Sequence, residues 1–119
     1  SAFDRNSFSS ALGPAHDWIL ARFAEAGLAT QSFSFQLDGN NAGCNPPRPL
    51  VTLANPIGVK RGATLPEQWV VVGAHYDSRN TIRCDTGSPQ PGANDNASGC
   101  AGVIELARTF ATVDTARSI

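Results

Sequence analysis

Long apolar runs are missing from this 119-residue sequence. Nothing in it approaches the roughly 18 consecutive apolar residues a helix needs to cross a bilayer, so no membrane span is indicated. Charge of one sign is equally scarce. Nine Lys and Arg stand against ten Asp and Glu, a formal net charge of −1 with no basic cluster, which gives no electrostatic case for nucleic acid or an anionic membrane. No segment repeats, and no signal-peptide pattern is visible. There are three cysteines, none in the close Cys-x-x-Cys spacing of a zinc knuckle, which disfavours cysteine-bound zinc. The two histidines are His16 and His75.

What is present suffices for one domain with a modest core, at 41% hydrophobic residues. Residues 1–12, polar with scattered Phe, read as a loose lead-in. Pro14 marks a first helical turn, and Ala15, Trp18, Ile19, Phe23 and Ala26 form an apolar stripe. Gly27 and Leu28 then read as a Schellman-type stop. On this helix His16 and Trp18 read as surface and packing residues. Thr30 to Leu37 alternates, with Phe33, Phe35 and Leu37 on one face, as in a half-buried strand. Leu50 to Ala54 reads as a second strand, antiparallel to the first because no helix connects them. Asp38 to Pro49 and Asn55 to Pro66 read as loops.

Trp69 to Ala74 contains the β-branched run Val70 to Val72 and ends on Gly73 and Ala74, the pattern of a buried central strand. A helix is expected to start near Asn96 to Ser98, with Ala97, Cys100, Ala101, Val103, Ile104, Ala107, Phe110 and Ala111 at helical spacing. This order predicts an α/β fold, a mixed β-sheet flanked by helices.

Two chemistry-bearing residues lie just past the central strand. His75 and Asp77 are two apart, so in an extended chain their side chains leave one face, at the strand end where α/β sheets place their ligands. Asp95 follows eighteen residues after Asp77, across a loop rich in Gly, Pro, Ser and Asn. At a helix start it serves either as an N-cap or as a ligand.

Gly-Ala-His-Tyr-Asp-Ser (73–78) followed by Gly-Ala-Asn-Asp-Asn-Ala-Ser-Gly (92–99) resembles the paired signature of the co-catalytic dizinc aminopeptidases, the family of secreted bacterial leucyl aminopeptidases. The resemblance is close over residues 70–108 and loose elsewhere. It implies an α/β/α sandwich, incomplete in this chain, of which residues 1–119 would be the N-terminal part of a single catalytic domain. It also implies two Zn2+ ions. His75 would bind one zinc and Asp95 would bridge both. Asp77 would be the catalytic-site carboxylate beside the ligands, and the Asp95–Asn96 peptide would be cis. Imidazole nitrogen and carboxylate oxygen are ordinary zinc ligands, and two zincs about 3.5–4 Å apart need an anion between them. The family's Glu-Glu pair, one general base and one ligand, and its final His ligand have no counterpart here. The isolated chain is therefore expected to be inactive.

The resemblance further implies peptide or protein N-termini as substrates and a secreted or periplasmic location. Cys44 and Cys84 lie in loops, where an exported protein could join them in a disulfide or leave both as thiols, whereas Cys100 reads as a buried free thiol. The loop Ser78 to Pro91 carries Arg79, Arg83 and Asp85 and reads as solvated, and the acceptor pattern Asn96-Ala97-Ser98 as unglycosylated. An unpaired sheet edge would favour self-association of the isolated chain. Two further readings stand beside the peptidase: a glutaminyl cyclase with one zinc, and a non-catalytic binding domain on a peptidase scaffold.

Overall fold

The computed structural model describes residues 4–119. The element order is helix α1 (Leu12–Glu25), strands β1 (Ala29–Leu37), β2 (Val51–Val59) and β3 (Leu65–Trp69), helix α2 (Ser98–Ala111) and a short strand β4 (Arg117–Ser118). The α/β class holds, with antiparallel and parallel pairings both present. They are divided between two small sheets, β1 with β2 antiparallel and β3 with β4 parallel.

Helix α1 ends as its sequence dictates. Gly27 (φ +82°) donates to Ala24 O at 2.9 Å and Leu28 to Phe23 O at 3.1 Å, the paired bonds of a Schellman cap. Trp18 stays largely exposed, with the Arg22 guanidinium stacked 5.3 Å from its ring centroid. His16 bonds Asp17 (2.9 Å) and Ser32 (3.0 Å) on the same surface.

Several expectations about strands and loops are corrected. The second strand does not stop at Ala54 but runs to Val59, pairing Thr30 with Gly58 and Ser32 with Pro56. Its Gly58 lies under α1, where an added Cβ would come within 2.8 Å of Phe23 and 3.0 Å of Leu28, so the residue that looked like a loop signal is a close-packing device. That same contact, with the Ser32–His16 bond, puts α1 on the Ser and Thr face of the hairpin. The opposite face carries Phe33 and Phe35, which are 62% and 38% exposed, so the expected burial of that apolar face does not occur among the described residues.

The central strand is likewise displaced, to Leu65–Trp69. Val70 N–H still reaches Ser118 O at 2.9 Å, but beyond it Val71 is 89% exposed and residues 70–80 pair with nothing as a strand. A β-branched run becomes a central strand only between two neighbours, and here its one neighbour, β4, is two residues long.

Of the segment read as a loose lead-in, Asp4, Arg5 and Ser7 are instead bonded to residues 76–78 and 90–92; the first three residues lie outside the described part. The core is small: Ile19, Phe23 and Ile104 are buried, with Leu28, Tyr76, Val103 and Ala107 packed against them. A radius of gyration of 16.0 Å, against about 13.5 Å for a compact chain of this length, shows that the elements do not close around one centre. No helix among the described residues is long and apolar enough to cross a membrane.

Candidate metal centre

The segment after β3 keeps an extended alternation although it lacks a ladder. Tyr76 turns inward, packing on the core and donating its hydroxyl to Ala54 O at 2.7 Å. Its neighbours His75 and Asp77 therefore face the other way, together. His75 Nδ1 lies 3.0 Å from Asp77 Oδ1, and His75 Nε2 lies 3.0 Å from Asp95 Oδ1. One imidazole is thus held between two carboxylates from segments eighteen residues apart.

Asp95 reaches this position from an irregular turn, Ala93–Ala97, whose Asp95 and Asn96 are non-helical and joined by a cis peptide, as the resemblance implies. Asp95 does not serve as the cap of α2. The N-cap residue is Ala97, while Asn96 Oδ1 accepts Gly99 N–H of the first turn at 3.0 Å, leaving the Asp95 carboxylate 79% exposed and open on its outer side.

The electrostatics follow from the arrangement. Partial burial pulls the His75 imidazole down, but the hydrogen bond and charge of Asp77, with the charge of Asp95, outweigh it and hold the group above its ordinary value. Two acceptors around one imidazole favour a cation on or at the ring, a proton or a metal ion. Two ligands of one tetrahedral zinc at about 2.0–2.1 Å lie roughly 3.3 Å apart. The observed 3.0 Å between Nε2 and Oδ1 is within a few tenths of an ångström of that, so the donor pair fits a zinc ion in both chemistry and spacing. The set is partial, because among the described residues no group of three or more His, Cys, Asp or Glu is disposed to hold a metal. His16, on α1, takes no part.

Around this pair lies a loop that is more tied down than its composition suggested. Cys44 and Cys84 form a disulfide (Cα–Cα 5.5 Å), Arg83 donates to Ala42 O at 3.2 Å, and Arg48 donates to Cys84 O at 2.9 Å. Arg79, Asn80, Thr81, Arg83 and Asp95 line a cleft of about 490 Å³. Cys100 is a free thiol, as read, but only half-buried, and lies 3.3 Å from His75 O.

Sequence reasoning missed Arg5, Ser7 and Ser78. Arg5 Nε donates to Tyr76 O at 2.9 Å and its Nη2 to Gly92 O at 3.1 Å; Ser7 Oγ donates to Asp77 Oδ2 at 3.3 Å. Ser78, buried, exchanges bonds with the Arg5 backbone and donates to Gln90 O at 2.7 Å. Ser78 lay inside the recognised motif. Arg5 and Ser7 lie about seventy residues away, and no local pattern links them to it.

Among known proteins, residues 55–119, more than half of the chain, match peptidase family M28. The chain is 39% identical over 110 residues to a probable zinc metalloprotease of Leptosphaeria maculans, covering 90% of this chain and 25% of that protein. It is 35% identical over 107 residues to a probable zinc metalloprotease of Pyrenophora teres f. teres, covering 84% and 22%. A shorter match, 54% over 39 residues, covers 33% of this chain and 12% of the uncharacterized protein YfbL of Escherichia coli. The chain thus spans about a quarter of the length of the fungal relatives it matches.

Proposed function

Because this chain belongs to peptidase family M28, we propose that it supplies part of the zinc site of an aminopeptidase that releases N-terminal residues from peptides. The observation that carries this reading is the His75 imidazole held at 3.0 Å from Asp77 on one side and 3.0 Å from Asp95 on the other. The zinc metalloprotease names of the fungal relatives support the metal.

In this reading His75 Nε2 and the Asp95 carboxylate would hold zinc. Bound zinc supplies Lewis acidity toward a peptide carbonyl and acidifies a water toward neutral pH. The remaining work belongs to the chain's own side chains. Asp77 accepts the Nδ1 proton of His75 and so fixes the tautomer whose Nε2 lone pair faces Asp95. The exposed outer side of Asp95 leaves room for further ligands and for a substrate. The Cys44–Cys84 disulfide supports an oxidising, exported setting, secreted or periplasmic.

The test is made in the intact protein. His75→Ala and Asp95→Ala are each expected to lower both zinc content, by metal analysis, and the rate of N-terminal residue release from aminoacyl anilides. Full zinc occupancy in both variants would remove the ligand assignment. Release of pyroglutamate in place of free amino acids would transfer the site to the cyclase reaction. The isolated 119 residues, holding only part of the ligand set, are expected to show no turnover.

A further inference from the structure

The two segments that carry His75 and Asp95 are both irregular. Residues 70–80 have no strand ladder, and Ala93–Ala97 contains non-helical residues. Neither has enough regular hydrogen bonding of its own to hold a separation of a few ångströms. Something else must do so.

We propose that Arg5 and Ser7 are positioning residues of the metal site, forming a strap that sets the distance between His75 and Asp95 and the orientation of Asp77. The proposal rests on the reading of His75 and Asp95 as zinc ligands. The guanidinium of Arg5 spans the two segments: Nε donates to Tyr76 O (2.9 Å), the residue after His75, while Nη2 donates to Gly92 O (3.1 Å) and Nη1, at 3.4 Å, to Pro91 O. A planar fork of fixed geometry holds its acceptors at fixed separation, which a lysine ammonium does not.

The rest of the strap reinforces the same junction. Arg5 N–H donates to Ser78 Oγ and Ser78 N–H to Arg5 O, both at 3.0 Å, and Gln90 N–H donates to Asp4 Oδ1 at 2.8 Å. Gly92 shows how closely the three segments converge. Its φ is +50°, and an added Cβ would meet Ser78 Cβ at 2.5 Å, Asp95 O at 2.8 Å and Arg5 Nη2 at 3.0 Å. Ser7 acts one bond further in. Its hydroxyl donates to Asp77 Oδ2 while Asp77 Oδ1 takes His75 Nδ1, so both carboxylate oxygens are committed and the imidazole plane is set.

The experiment compares Arg5→Lys, Ser7→Ala and His75→Ala in the intact protein. Zinc affinity is measured by competition with a chromophoric chelator, the cobalt(II)-substituted forms give d–d absorption spectra, and Tm is measured metal-free. Arg5→Lys and Ser7→Ala are expected to lower zinc affinity about 10- to 100-fold and to shift the cobalt bands. A purely structural role would lower Tm and leave the bands and the affinity of the folded protein in place. Affinities within twofold of the parent and unshifted bands in both variants, with His75→Ala having lost zinc, would overturn the strap while sparing the ligand assignment. Unchanged affinity in His75→Ala would instead overturn the site itself. If Arg5→Lys does not fold, Ser7→Ala decides by the same two readouts.

Discussion

Opening the Cys44–Cys84 bridge gives a quantitative test of how the site loop is held. The two cysteines are 40 residues apart, so in the chain-entropy account the bridge removes about 13 cal/mol/K from the unfolded ensemble, or about 4 kcal/mol at 25 °C. Three native contacts outlast the covalent bond: Arg48 to Cys84 O, Arg48 to Thr86 Oγ1, and Arg83 to Ala42 O. At about 1 kcal/mol each, they keep the loops in place in the folded state without recovering the entropy of the unfolded one. The double variant Cys44→Ser/Cys84→Ser is therefore expected to fold but to unfold at lower urea, with a stability loss of about 4 kcal/mol read by linear extrapolation from parallel urea titrations. Peptide mapping of the parent without reduction should recover the Cys44 and Cys84 peptides joined and the Cys100 peptide alkylated alone. A loss below about 1 kcal/mol, or alkylation of Cys44 and Cys84 in the unreduced protein, would refute the reasoning.

Other expectations follow from single sites. Asp77→Ala removes the acceptor that fixes the His75 tautomer and should lower zinc affinity about 10- to 100-fold in a chelator competition, with little change in Tm because Asp77 is 42% exposed. Phe23→Ala empties the centre of the Ile19–Phe23–Ile104 cluster and should cost about 3–5 kcal/mol in urea unfolding. The Asp85 carboxyl, bonded by the Ser88 hydroxyl, the Gly87 amide and the Asn80 side chain, is lowered to about 2. Its contribution to the order of the 78–91 loop is therefore present above its ordinary value near 3.8 and lost as the pH falls through about 2. Proteolysis of that loop by pepsin should accelerate across this window in the parent, and Asp85→Asn should flatten the change.

By itself, the sequence determined whatever is set over a few neighbouring residues. The helix stops, the antiparallel pairing of the first two strands and the chemistry of the site belong here. Gly27 and Leu28 close α1 through bonds to residues three and five positions back, and His75 and Asp77 share a face because alternation is a property of any extended chain. The partnership of His75 and Asp77 with Asp95 was legible through the paired motif, whose residue types suit a zinc ion.

Tertiary structure decided everything that depends on who the neighbours are. Val70 to Val72 carries the composition of a central strand, but ladder bonds come from adjacent chain, and among the described residues the run is met by Ser118 alone, at Val70. Gly58 read as a turn residue and is a strand residue, because the reason for its missing side chain is Phe23, thirty-five residues away. The same holds at the site. His75, Asp77 and Asp95 belong to one paired motif, whereas Arg5 and Ser7 reach that junction only after the chain has folded back on itself. Periodicity carries no information about a contact of that range, and only the folded backbone brings a guanidinium within 3.1 Å of Tyr76 O and Gly92 O together.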